Sequence, residues 1–249
     1  MKLNLPAPAA ALELDAVMVD LDGTMVNTLG DFAEALNRML ADLQLPAIKP
    51  QIIENMVGKG SEHLIRSVLA HVGAADIDAL YPQAWQRYEH HYLAINGQFA
   101  DVYPGVAEGL QALQSLGLRM ACLTNKPLSF AQPLLAAKGL DGFFDCVFGG
   151  DSFPRKKPDP MPLVETCKAL GSEPARTLTV GSGTYNGTIT DHGVAIAYGA
   201  TTISYDTTGV LSLTKVSDET LTLGGTVSYT GLTNIQGGTV ALTAAGATS

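Results

Sequence analysis

Apolar positions along the chain fall into two rhythms. Asp15-Ala16-Val17-Met18-Val19, Arg119-Met120-Ala121-Cys122-Leu123, Cys146-Val147-Phe148 and Thr177-Leu178-Thr179-Val180 are short, nearly continuous apolar runs closed by Gly, Asp or Asn. Runs of that kind are expected of parallel strands covered on both faces. Between them Val106–Leu116, Phe130–Lys138 and Pro160–Leu170 carry apolar residues at three- and four-residue spacing, the mark of amphipathic helices. The alternation predicts an α/β fold, a doubly wound parallel sheet. Residues 29–96 break it with a helical block and no clear strand: Leu29–Leu43, Ser61–His71 and Ile77–Leu93 all have helical spacing. The expected organisation is a core from 1–28 and 97–181, with an inserted helical cap at 29–96.

A second change comes after Arg176. No Pro or Arg follows it, and Thr makes up about a quarter of what remains. TLTLGGTVSYTG and TNIQGGTVALTAAG each read as strand, Gly-containing turn, strand, so 182–249 is expected to be a Thr/Gly-rich β-tail, a hairpin series or a solenoid.

The net charge of −9 and the lack of any long Lys/Arg run argue against a nucleic-acid or anionic-membrane partner. An acidic protein that binds an anion needs a locally positive site. Three cysteines without a CxxC pair suit free thiols in a reducing compartment. The opening residues form no secretory h-region and no stretch has the ~18 apolar residues of a membrane span, so the expectation is a cytoplasmic protein.

Chemistry concentrates at three strand or helix edges. Asp20-Leu21-Asp22-Gly23-Thr24 directly follows the first strand, and carboxyl ends of strands are where open α/β sheets bind ligands. Phosphoryl transfer to a carboxylate needs a nucleophile, for which Asp20 is suited, and an acid/base, for which Asp22 is suited. An isolated Asp-Gly strand end is more often a solvated turn, but this one has company. Thr124-Asn125-Lys126 ends the second strand with a hydroxyl and an amide able to bond phosphate oxygens. Arg155-Lys156-Lys157-Pro158-Asp159-Pro160 places cations before a helix, and Lys157 can neutralise phosphate and nucleophile together.

DLDGT, LTN and KKPDP in this order, with a helical insert after the first, resemble the haloacid dehalogenase superfamily. More narrowly, DLDGTMVNTLGDFAEALNRML and GGDSFPRKKPDP are similar to the bacterial phosphoglycolate phosphatases, over residues 12–181. The resemblance implies Asp20 as nucleophile and Asp22 as general acid/base. It implies Mg²⁺ on Asp20 and the Asp22 main-chain carbonyl, and phosphate held by Thr124, Asn125 and Lys157. The implied substrate is a small acid phosphate such as 2-phosphoglycolate, with Lys59 of Gly58-Lys59-Gly60-Ser61 facing its carboxylate. That segment equally suits a Gly turn with Ser61 as N-cap. Glu89-His90-His91 is expected to be solvated surface, since adjacent helical side chains diverge by about 100°.

The pattern breaks after Val180-Gly181. The family's next motif carries metal-binding acids, but here Ser182 stands at the first such position and Asn186 at the second. Magnesium prefers hard anionic oxygens, so the expectation is weakened metal binding and turnover, with Ser182 or Asn186 left to contribute and Asp191 a substitute only if the tail folds back. The tail phrase YTGLTNIQGGTVALTAAG resembles autotransporter β-solenoid passenger repeats. Together these features suggest a chimera, whose other reading is an inactive structural or adhesive protein.

Overall fold

The structure, a computed structural model, describes residues 14–181 and, beyond them, the backbone of six short strands between 195 and 242. The core strands are β1 (Ala16–Val19), β4 (Arg119–Leu123), β5 (Cys146–Phe148) and β6 (Thr177–Gly181). Two short strands, β2 (Val26–Asn27) and β3 (Asp101–Val102), pair antiparallel outside the sheet. The four core strands run parallel in the order β6-β1-β4-β5. β1 is central and its four side chains are buried, as a strand with both faces covered requires. Helices α5 (Val106–Ser115) and α6 (Leu128–Ala137) cover one face, where Val17, Val19, Leu110, Leu134 and Leu135 join one apolar cluster. On the other face α7 (Met161–Leu170) sets Leu163, Cys167 and Leu170 against Ala16 and Met18.

The insertion holds α1 (Leu29–Asp42), α2 (Pro50–Glu54), α3 (Ser61–His71) and α4 (Ile77–Ile95). The five-residue α2 was too short for periodicity to reveal. α1 buries Phe32, Leu36, Met39 and Leu40, and α4 buries Ala84, Tyr88, Tyr92 and Ile95. Asp76 caps α4, its side chain accepting from Ala79 N at 3.0 Å. Ser61 is not a cap: Gly60 occupies that position and Ser61 is already helical.

Two devices hold the insertion to the core. The outgoing and returning chains pair as β2 and β3. Just beyond, the buried Asp31 carboxylate accepts from Gly97 N at 2.7 Å and Phe99 N at 2.8 Å. Phe130 of α6 then reaches into the insertion's own cluster, its ring 4.7 Å from that of Tyr92.

The tail meets the sheet at β6. Strand β7 (Ala195–Tyr198) pairs parallel with it, Leu178 opposite Ala195, so this edge of β6 is occupied. Ser182, Asn186 and Asp191, and the turns of the two Gly-Gly repeats, lie outside the described residues.

At the other edge Asp145 closes β5 onto β4: its carboxylate accepts from Met120 N at 2.8 Å and pairs with Arg119 at 3.1 Å. The Met120 amide first, and the Arg119 guanidinium after it, hold the Asp145 carboxyl below the ordinary aspartate value. A lowered folded pKa means stabilisation that is complete above the ordinary value and lost as pH falls through the lowered one. The urea midpoint is therefore expected to drop below about pH 4, with a shallower acid limb in Asp145→Asn. Identical pH slopes for the two proteins would contradict this.

Candidate active site

The β1-β4 neighbourhood explains why residues 104 apart meet. Parallel pairing aligns the two carboxyl ends, Val19 opposite Cys122, so Asp20 and Thr124 emerge side by side. The chain then doubles back. Leu21 carbonyl accepts from Met25 N at 3.0 Å and Val26 N at 3.1 Å, and Gly23, at φ +73°, makes the turn that a side-chain-bearing residue would strain. This leaves Asp22 beyond the strand end, facing the insertion.

An open cleft of about 390 Å³ lies there, floored by Asp20, Asp22, Thr124, Asn125 and Lys126. Its other wall comes from the insertion, including Phe32, Gly58, Gly60 and Ser61. Asp20 Oδ1 accepts from Leu21 N at 2.8 Å, while Oδ2 lies 3.1 Å from Lys157 Nζ. Lys157 Nζ also donates to Leu123 O at 2.7 Å. This ammonium is the local positive charge that an acidic chain needs if it is to hold a phosphate. The nearby Cys122 thiol is pushed far above its ordinary range, by burial first and by the Asp20 charge second, so it stays protonated and inert.

Of the residues singled out from sequence, Asp20, Asp22, Thr124, Asn125 and Lys157 converge at this floor. Lys59 is exposed on the loop before α3, between two glycines that line the cleft. His91 bonds to Asp42 at 2.8 Å, and no group of three or more His, Cys, Asp or Glu residues suited to a metal occurs among the described residues.

Lys126 was not expected in the site. It is buried, its Nζ 2.9 Å from Asp22 Oδ1 and 3.2 Å from Oδ2, with Thr28 Oγ1 donating to the same Oδ1 at 2.8 Å. The ammonium also lies 4.4 Å from the Phe32 ring centroid and 4.7 Å from that of Tyr92. Local sequence carries no sign of this, because the partners come from the segment after β1, from α1 and from α4.

The loop around Asn125 is packed against Gly150. A Cβ there would sit 2.2 Å from Asn125 O and 2.8 Å from its carbonyl carbon, both backbone atoms that cannot swing away. Gly150→Ala is expected to cost roughly 1–3 kcal/mol through overpacking. The melting temperature should fall by roughly 2–12 °C for a chain of this size, and an unchanged melt would refute the clash.

Residues 14–188 match the model for haloacid dehalogenase-like hydrolases. The chain belongs to that family. It is 40% identical over 171 residues to a phosphoglycolate phosphatase of Thiobacillus denitrificans, covering 68% of this chain and 75% of that protein. It is 42% identical over 172 residues to the plasmid-encoded phosphoglycolate phosphatase of Cupriavidus necator, covering 69% and 74%. The crystal structure of a predicted phosphoglycolate phosphatase from Haemophilus somnus superposes with a TM-score of 0.65 at 27% identity, over 76% of this chain and 88% of that one. The protein is thus a phosphoglycolate phosphatase-like hydrolase with a four-stranded parallel sheet and a helical insertion. No helix among the described residues is long and apolar enough to cross a membrane.

Proposed function

We propose that this hydrolase cleaves a small acid phosphomonoester, of the 2-phosphoglycolate kind, through a phosphoryl-Asp20 intermediate. The observation that carries the reading is the Asp20–Lys157 pair at 3.1 Å on the cleft floor, beside Thr124 and Asp22. An Asp20 carboxylate oxygen attacks phosphorus, the bond from phosphorus to the ester oxygen breaks, and the departing alkoxide takes a proton from the Asp22 carboxyl. Asp22, now a carboxylate, takes a proton from water, whose oxygen attacks the phosphorus of the acyl phosphate and frees Asp20 and inorganic phosphate. Lys157 and the Thr124 hydroxyl hold the phosphoryl oxygens through this exchange.

Mg²⁺ suits the donors available: the Asp20 carboxylate and the Asp22 main-chain carbonyl are hard oxygens, and magnesium commonly keeps waters and substrate phosphate as its other ligands. When bound, it would neutralise charge on the phosphoryl group. Asn186 is the further candidate ligand, and Ser182 contributes no anion. In the same reading residues 29–96 act as a cap over a core of 1–28 and 97–181, Lys59 meets the substrate carboxylate, and the protein works in the cytoplasm. A substrate panel tests this: phosphate release should favour 2-phosphoglycolate over neutral sugar phosphates, and Lys59→Ala should narrow the preference. Equal rates on all esters would remove the acid-phosphate assignment. Solenoid likeness of the tail belongs to the alternative, an inactive structural chimera, which gains only if no ester is cleaved.

A further inference from the structure

We propose that Asn125 is a positioning residue, a latch whose side-chain amide ties Lys157 and the Gly58–Gly60 loop of the insertion to the end of β4. Its Oδ1 accepts from Lys157 N at 3.0 Å, and its Nδ2 donates to Lys157 O at 2.8 Å and to Gly58 O at 3.0 Å. A primary amide has two N–H donors, and both are committed to carbonyls here. The orientation is dictated by the partners. Turning the amide over would face its oxygen to two carbonyl oxygens and its NH₂ to the Lys157 N–H. Asn125 is only 8% exposed, so these bonds face little competition from water.

The three bonds divide the latch into two parts. Two of them clasp both polar backbone atoms of a single residue, Lys157, whose Nζ reaches Asp20. This fixes where the ammonium's stem begins. The third crosses the cleft to Gly58, in a loop whose glycines line it. A ligand entering past this loop breaks the third bond and leaves the clasp on Lys157 intact. While the loop is tethered both N–H groups of the side chain are taken, and release of Gly58 frees one of them. The part concerning Lys157 rests on the proposed phosphatase reading, whereas the tie to Gly58 stands apart from it.

Limited proteolysis of the full chain tests the latch without requiring turnover. Lys59 is exposed in the tethered loop, while Arg66 and Arg87 lie in α3 and α4 and serve as internal controls. In Asn125→Ala, and in the isosteric Asn125→Asp that lacks both donors, trypsin should cut after Lys59 about five- to tenfold faster, the range one hydrogen bond supports. Cleavage at the controls should stay at the parent rate. Unchanged cleavage at Lys59 in both variants overturns the latch. Faster cleavage at all three positions in both also overturns it, since Asn125 would then hold the fold at large. Calorimetric titration with inorganic phosphate provides the second arm. Both variants should bind it severalfold more weakly than the parent. If the parent binds no phosphate while Lys59 still opens in the variants, the phosphatase reading fails and the latch stands.

Discussion

Asp20→Asn is expected to abolish Mg²⁺-dependent phosphate release from 2-phosphoglycolate, and Ser182→Asp to raise it by on the order of 10²-fold over the parent. The first follows from position. Asp20 ends the central strand, its Oδ2 lies 3.1 Å from Lys157 Nζ, and the cleft opens directly over it. An amide has the same shape but is no nucleophile toward phosphorus. The second follows from the proposed donor set: with Ser182 at the position where the family resemblance implies an acid, one side-chain carboxylate and one carbonyl remain from the first motif. An acid at position 182 would add a hard anionic oxygen of the kind magnesium prefers. A parent turning over at full rate with ordinary Mg²⁺, and gaining nothing from Ser182→Asp, would refute the impairment. Activity surviving in Asp20→Asn would refute the nucleophile. Silence in parent and Ser182→Asp alike would favour the inactive chimera.

Lys126→Met is expected to destabilise the protein by about 3 kcal/mol, the low end for breaking a buried ion pair. The low end applies because Asp22 is not sealed off: 12% of its side chain is exposed and Thr28 still donates to it, whereas the Lys126 side chain is 1% exposed. Part of the loss is the cation's contact with the Phe32 and Tyr92 rings, worth up to about 2 kcal/mol when desolvated. Asp22→Asn strands the same ammonium and should also be costly. The double variant Lys126→Met/Asp22→Asn should recover roughly 1–3 kcal/mol of the summed losses, because neither charge is then left alone. Urea unfolding of the four proteins measures this. Additive losses would mean that the two side chains do not act as a pair.

Much of the site was legible because its residues are punctuation. Asp20, Thr124 and Lys157 sit where apolar runs stop or a helix is about to start, and in an α/β sheet those stops lie at one end. The helices were legible for a related reason. The spacing of Phe32, Leu36, Met39 and Leu40, or of Ala84, Tyr88, Tyr92 and Ile95, already states which face is buried. Ser61 misled as a cap because Ser after Gly suits the N-cap and the first helical turn alike, and only backbone geometry separates them.

The sequence by itself determined the order of the four core strands and the longer helices, the presence of a helical insertion after the first strand, and the presence of a carboxylate, hydroxyl and ammonium at strand or helix edges, since each depends on residues near one another in the chain. The tertiary structure decided what those groups hold. Lys126 faces Asp22 across 104 positions, Asp31 clasps the chain returning at Gly97 and Phe99, and Asn125 spends its amide on Lys157 and Gly58. Side-chain donors and acceptors of these kinds look identical in sequence whether they meet a ligand, a side chain or a backbone group. Which one they meet is set by long-range packing, where the sheet order and the docking of α1 and α4 bring distant segments within 3 Å.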